Sequence, residues 1–271
     1  MRDITDVPTS EFAPRSKHLK IEQQIVLVTG GARGLGESIV RALHREGARV
    51  AVNYLGSQSS AERLQSELGS RVCTVQADVT DPAAVGQMVS QIEAQFGSPV
   101  TSVINNALVS FTFNGDDRPR LDTITLQHFE QQARGAVGGA LNTIQATLPG
   151  MRSARFGRIV NVGTNLFQNP VVPYHDYTAA KAGLLSLTRT AAHELGPDGI
   201  TVNMVSGGLL RTTDASAATP DFVFDLIARN TPLQSVTTPE EFADAVLFFL
   251  SPWSRAVTGQ NLVVDGGLVK D

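Results

Sequence analysis

Short apolar runs alternate along this chain with longer stretches in which apolar residues return every three or four positions. Ile25 to Thr29 is the first such run and reads as a strand. It passes straight into Gly30-Gly31-Ala32-Arg33-Gly34-Leu35-Gly36; Ile39, Val40 and Leu43 then keep helical spacing up to Glu46, and Gly47 supplies a stop. Further strands are predicted over Arg49–Asn53, Val72–Gln76, Val100–Asn105, Arg158–Val162, Thr201–Val205 and Asn261–Val264. Helices are predicted over Ser59–Leu68, from Asp81-Pro82 to Phe96, over Thr125–Met151 and Tyr177–Leu195, and from Thr238-Pro239 to Leu250. Pro149 predicts a break near the end of the third of these. Gly135, Gly138 and Gly139 each cost a helix interior about 1 kcal/mol relative to alanine, so a close neighbour, expected to be a second helix, should require them. Phe111–Asp122, with Gly115, Asp116, Asp117 and Pro119, reads as a loop, and so does Gly207–Thr237 apart from a helical piece near Phe222–Ala228.

Strands separated by helices over the whole length imply an α/β domain with a parallel sheet covered on both faces and ligands at the carboxyl ends of the strands. Met1–Lys20 is polar, carries Pro8 and Pro14, and shows no periodicity. It reads as a flexible arm ahead of a single domain over residues 21–271.

Composition narrows the partners. A net charge of −4 over 271 residues, with Lys and Arg scattered, leaves no basic field for a nucleic-acid backbone. No apolar run approaches the roughly 20 residues that span a bilayer, and no secretory signal opens the chain, so a soluble protein off the membrane is expected. The one cysteine, Cys73, lies in an apolar run and reads as a buried structural thiol in a reducing cytoplasm. The five histidines do not pair with one another or with the cysteine, so no metal site is predicted.

Two features carry chemistry. At the glycine-rich turn the backbone can pass close to a ligand, and the N-terminus of the following helix offers partial positive charge to a pyrophosphate. Tyr177 and Lys181, four apart, share a helix face, where the ammonium is expected to lower the phenol from its reference pKa near 10. Thr164 adds a hydroxyl at the end of the preceding strand.

With these residues in place, the chain from Glu22 to Gly267 resembles the short-chain dehydrogenase/reductase family. The matching pieces are Thr29-Gly-Gly-Ala-Arg-Gly-Leu-Gly36, Asp78-Val79, Asn105-Asn106-Ala107, Gly157-Arg-Ile-Val-Asn161, Tyr177-Thr-Ala-Ala-Lys181, Asn203 and Val264-Asp-Gly-Gly267. The resemblance implies a Rossmann-type doubly wound sheet, a nicotinamide cofactor, and hydride transfer to or from a carbonyl or alcohol carbon. It makes Tyr177 the proton donor, Lys181 the residue that binds the nicotinamide ribose and tunes the phenol, and Thr164 the hydroxyl partner. Its cofactor contacts fall on Gly30, Ala32, Arg33, Gly34, Leu35, Gly36, Asn53, Tyr54, Ser57, Asp78, Val79, Asn106 and Ala107, on Tyr177 and Lys181 again, and on Gly208, Leu210 and Thr212. Among subfamilies the chain is most similar to the 3-oxoacyl-thioester reductases. The resemblance also implies a homodimer or homotetramer built on the Gly-rich and Tyr-Lys helices.

Four positions depart from that pattern. Thr164 replaces a serine, Leu108 a glycine, and Gly207-Gly208 a proline-glycine pair, while Ala136 stands where the family has an asparagine that holds a water in the proton relay. Water is expected to fill the space left at Ala136. The alternative to a working reductase is a cofactor-binding sensor with little turnover. A dehydrogenase of sugar, steroid or xenobiotic alcohols is a further alternative, because Leu209–Gln234 carries no selectivity code, and Phe222, Val223 and Phe224 read equally as an apolar lid or as plain packing. NADP is the expected cofactor: Arg33 is a cation at a helix N-terminus, Asn53 stands where an acid would favour NAD, and Tyr54, Ser57 and Ser59 add donors.

Overall fold

Each apolar run becomes a strand whose side chains alternate between two buried faces of one sheet. A computed structural model describes residues 18–111, 113, 117–213, 216–217 and 219–270. Its strands are β1 (Ile25–Val28), β2 (Arg49–Tyr54), β3 (Val72–Gln76), β4 (Ser102–Asn105), β5 (Gly157–Thr164), β6 (Ile200–Gly207) and β7 (Asn261–Val264). The helices are α1 (Gly34–Arg45), α2 (Gln58–Leu68), α3 (Pro82–Phe96), α4 (Leu126–Ala133), α5 (Gly139–Ala154), α6 (His175–Leu195), α7 (Asp221–Asn230) and α8 (Pro239–Leu250). The strands pair in parallel in the order β3-β2-β1-β4-β5-β6-β7, so the winding reverses between β1 and β4 and opens a crevice at their carboxyl ends.

Val26, Val28, Val50 and Val52 pack on one face with Ile39 and Leu43 of α1 and Phe242 and Val246 of α8. Ile25, Leu27, Ala51 and Val103 pack on the other with Val85, Met88 and Ile92 of α3 and Ile144 of α5. The starts follow their caps: Asp81 accepts from the Ala83 (2.8 Å) and Ala84 (3.3 Å) N–H groups, and Thr238 and Glu241 form a capping box ahead of α8. Cys73 is buried in β3, and burial pushes its thiol up to about 12. Among the described residues no helix is long and apolar enough to cross a membrane, and no group of His, Cys, Asp or Glu gathers where it could hold a metal ion.

A polar chain crosses the core. The Thr143 hydroxyl donates to Asn105 Oδ1 (2.6 Å), Asn105 Nδ2 to Asn161 Oδ1 (2.8 Å), Asn161 Nδ2 to the Thr188 hydroxyl (2.8 Å), and that hydroxyl to the Leu184 carbonyl (2.8 Å). It links α5, β4, β5 and α6 at full burial, with every carboxamide oxygen and at least one amide hydrogen of each asparagine engaged.

Three expectations need correction, and one lies elsewhere. The predicted helix Thr125–Met151 is two α-helices joined by a π-helical turn, Arg134–Gly138. Pro149 does not end α5, which runs through it to Ala154, although the proline has no N–H to give the Gln145 carbonyl. The close neighbours of the glycines are loop side chains and not a second helix: a Cβ on Gly135 would stand 2.7 Å from Val109 Cβ and one on Gly139 3.0 Å from Val79 Cγ2, while Gly138 meets nothing within 4 Å. The predicted arm falls almost wholly on residues 1–17, outside the described residues, as do Gly115 and Asp116.

Candidate active site

The glycine turn lies at the reversal point of the sheet. Gly30 (φ 60°) and Gly34 (φ 53°) take the left-handed conformation, and Gly36 is forced by packing, since a Cβ there would collide with the Gly30 carbonyl oxygen. Asn106 fastens this turn to the end of β4: its Nδ2 donates to the Thr29 (3.0 Å) and Gly30 (3.1 Å) carbonyls, and the Thr29 hydroxyl accepts from the Asn106 (2.9 Å) and Ala107 (3.0 Å) N–H groups. From β2, the buried Asn53 carboxamide accepts from the Gly30 N–H (3.3 Å) and donates to the Ala77 carbonyl (3.0 Å). The turn thus presents the N-terminus of α1 to the crevice on a backbone braced from both sides, a cradle that fits a pyrophosphate.

Charge around the turn is uneven. Arg33 is the exposed N-cap of α1, and Glu37, the acid of the first turn, is already paired with Arg41 (2.7 Å) and Arg63 (2.8 Å). Arg33 makes no ion pair among the described residues. Ala32 is buried beside it and Leu35 half-buried. Tyr54 ends β2 half-buried, and Ser57 stands at the N-cap of α2 with its hydroxyl uncommitted to a cap bond. Across the crevice the Asp78 carboxylate accepts from the Thr80 N–H (2.8 Å) and hydroxyl (2.9 Å), and the Val79 carbonyl accepts from Asn142 Nδ2 (2.9 Å).

Tyr177 and Lys181 rise from successive turns of α6 toward Thr164, the last residue of β5, and all three are buried. The phenol hydrogen-bonds to the Thr164 hydroxyl, which also accepts from the Leu166 N–H (3.2 Å). Lys181 Nζ donates to the Val162 carbonyl (2.7 Å) and lies 5.8 Å from the centre of the Tyr177 ring. Burial pushes the Tyr177 phenol up to about 12, opposed by the Thr164 bond and reinforced by Tyr174. Burial likewise pulls Lys181 down to about 8. The expected lowering of the phenol is therefore corrected: the ammonium is engaged by a strand carbonyl, and removal from water outweighs it.

Ala136 sits in the π-helical turn and lines a cavity of about 10 Å³ together with Lys181, Thr29 and Asn105. That is room for about one water with polar partners. After β6, Gly208 stands where a Cβ would come within 3.0 Å of Asn165 Nδ2, Leu210 is buried and Thr212 is exposed. The residue nearest the glycine turn here is Thr213, 3.8 Å from the Cβ position of Gly34, which sequence reasoning missed. Of the apolar trio in α7, Phe224 is buried and Phe222 exposed.

An aromatic cluster against Tyr177 also went unread. Phe111 stacks on its ring (centroids 4.5 Å apart, planes at 28°), Phe113 meets it edge-on at 5.6 Å and Tyr174 at 6.4 Å. Two phenylalanines in an otherwise polar loop were the only local signal.

A phosphate cradle at the reversal point of a parallel sheet, with a buried tyrosine, threonine and lysine beside it, is the arrangement of a nicotinamide-dependent oxidoreductase. Known proteins place it more closely. The family model described as enoyl-(acyl carrier protein) reductase matches residues 30–269. The 3-oxoacyl-[acyl-carrier-protein] reductase FabG of Staphylococcus epidermidis is 34% identical over 249 residues, 89% of this chain and 97% of the relative. FabG of Vibrio cholerae is 30% identical over 254 residues, 92% and 99% of the two chains. A crystal structure of a short-chain dehydrogenase/reductase, a glucose/ribitol dehydrogenase from Brucella melitensis, superposes with a TM-score of 0.81 over 94% of this chain and all of that one, and at 21% identity it bears on the fold alone. The chain belongs to the short-chain dehydrogenase/reductase family and is an NAD(P)-dependent oxidoreductase.

Proposed function

We propose that the protein is a cytoplasmic NADP(H)-dependent reductase of a carbonyl substrate, a 3-oxoacyl thioester or a compound of that reactivity, working as a homodimer or homotetramer. The observation that carries the reading is the convergence of the Tyr177 and Thr164 hydroxyls beside buried Lys181, under a turn shaped for pyrophosphate. The relatives' names and the family model's description, all reductases of acyl-carrier thioesters, support the substrate class. A bound nicotinamide dinucleotide supplies the hydride. Thr164 holds the substrate carbonyl oxygen, Tyr177 gives it a proton, and Lys181 fixes the site around the phenol and connects it to the water-sized cavity at Ala136. NADPH oxidation by the purified protein against acetoacetyl thioesters and a panel of ketones tests this; no turnover of any of them removes it.

The 2′-phosphate preference rests on Arg33, which has no acidic partner among the described residues, Glu37 being held by Arg41 and Arg63. Arg33→Ala is expected to weaken NADPH binding about tenfold, the loss of one charge-assisted contact, with little effect on NADH. Isothermal titration with both cofactors reads this directly, and NADH binding as tight as NADPH in the wild type would refute the preference.

Ala136 keeps the sensor reading in play. If a water in the cavity preserves the relay, Ala136→Asn raises kcat only by about two- to fivefold and leaves cofactor affinity alone, because the proton step is the one helped. A wild type with no measurable rate that becomes active on this change would favour the sensor.

A further inference from the structure

The substrate side of Tyr177 is filled. The residue is 6% exposed, one face of its ring is covered by Phe111, and its hydroxyl is bonded to Thr164. Phe111 and Phe113 follow β4 at the carboxyl end of the sheet, where the substrate must arrive, and touch each other edge-on at 5.0 Å. A group that stacks on this face of the phenol takes the place of Phe111.

The Phe111 ring has a second neighbour. The Arg118 guanidinium lies 4.3 Å over its centre, and since Tyr177 takes one face, Arg118 takes the other. Arg118 is fixed in turn by both oxygens of Asp176 (2.8 Å each), the residue before Tyr177, with side chains only 12% and 3% exposed. The slot between the Tyr177 ring and the Arg118 guanidinium is therefore as wide as one aromatic ring and is bounded by rigidly held groups. Tyr174 closes its edge, 5.2 Å from Phe111.

We propose that the substrate carries an aromatic ring on its reacting carbonyl, and that this ring replaces Phe111 between Tyr177 and Arg118. A displaced phenylalanine takes with it a stacking and a cation–π contact. An aromatic substituent restores both, whereas an alkyl chain of equal area restores neither. The inference deepens the reductase reading and rests on it: it names the group beside the carbonyl, leaving the thioester end open.

Two esters that differ only in that group provide the test, ethyl benzoylacetate and ethyl 3-cyclohexyl-3-oxopropanoate, whose cyclohexyl ring matches the phenyl in area but has no π face, with NADPH. The aryl ester is expected to have a kcat/KM about tenfold or more above the alkyl ester, and Arg118→Met to shrink that ratio to about threefold or less. Phe111→Ala is expected to raise kcat/KM for both esters while keeping the ratio, because the occupant to be displaced is gone. An alkyl ester used as well as the aryl one, or a Phe111→Ala protein slower on both, overturns the proposal while leaving the reductase reading intact. Calorimetric titration of the two alcohol products, ethyl 3-hydroxy-3-phenylpropanoate and ethyl 3-cyclohexyl-3-hydroxypropanoate, with NADP present, separates the failures. If neither ester turns over yet the aryl alcohol binds more tightly and loses that advantage in Arg118→Met, the reductase reading falls and the slot stands; equal binding of the two alcohols overturns the slot.

Discussion

Tyr177→Phe is expected to lower kcat by about a thousandfold with NADPH affinity unchanged, the scale on which a positioned general acid contributes. The substitution keeps the ring, so the stack with Phe111 and the packing of α6 survive, and only the hydroxyl bonded to Thr164 is lost. Burial holds the Tyr177 phenol protonated throughout the neutral range, the state a proton donor needs during reduction. Tyr174→Phe is the matched control: its ring lies 6.4 Å from Tyr177 at the start of α6, no lysine follows four residues on, and its loss should slow turnover far less. Steady-state NADPH oxidation and calorimetric cofactor titration of the two variants give the answer. Near-normal turnover in Tyr177→Phe would remove that residue from the chemistry.

Gly36→Ala should abolish cofactor binding, lowering NADPH affinity by about a hundredfold or more, and should also lower Tm. A methyl group at this position runs into the Gly30 carbonyl and lies 2.8 Å from Asn106 Nδ2 and 2.9 Å from Gly31 Cα, so the conflict is mostly with backbone that cannot swing aside. Relief requires α1 to lift from the turn, which removes the helix N-terminus from the phosphate. Gly86→Ala in α3 is the contrast, because nothing lies within 4 Å of that Cβ and helix propensity alone should add about 1 kcal/mol of stability. Thermal unfolding and NADPH titration of the pair distinguish a local clash from a general intolerance of alanine, and wild-type NADPH affinity in Gly36→Ala would refute the packing argument.

How far the chain could be read in advance depended on how local the cause was. The bounds of β3 and β7 coincide with those predicted, and Asp81 and Thr238 cap α3 and α8, because period and capping chemistry are properties of neighbouring residues. β5 and β6 run further than predicted, through Gly163-Thr164 and Ser206-Gly207, where polar and small residues hide a strand that its neighbours complete. At the site, the spacing of Tyr177 and Lys181 told only in combination with the glycine turn and Thr164, and the roles of the three came from the family resemblance. The shift of the phenol was misjudged because burial depends on what covers a group. What covers Tyr177 is Phe111, 66 residues away in sequence (177 − 111), a contact that no local period announces.

The Asn105–Asn161 bond also answers a problem of alignment. Strands that are apolar on both faces can slide past one another without exposing anything, so burial alone indexes them weakly. Asn105 and Asn161 are register partners, and a slip by one residue would set Asn105 against Val160 or Val162, turn the Asn161 side chain to the other face, and leave polar atoms of both carboxamides unpaired in the core. The pair acts as a notch between β4 and β5. It aligns the strand that leads to the phosphate turn's anchor, Asn106, with the one that ends in Thr164, so the two halves of the site meet at a single setting.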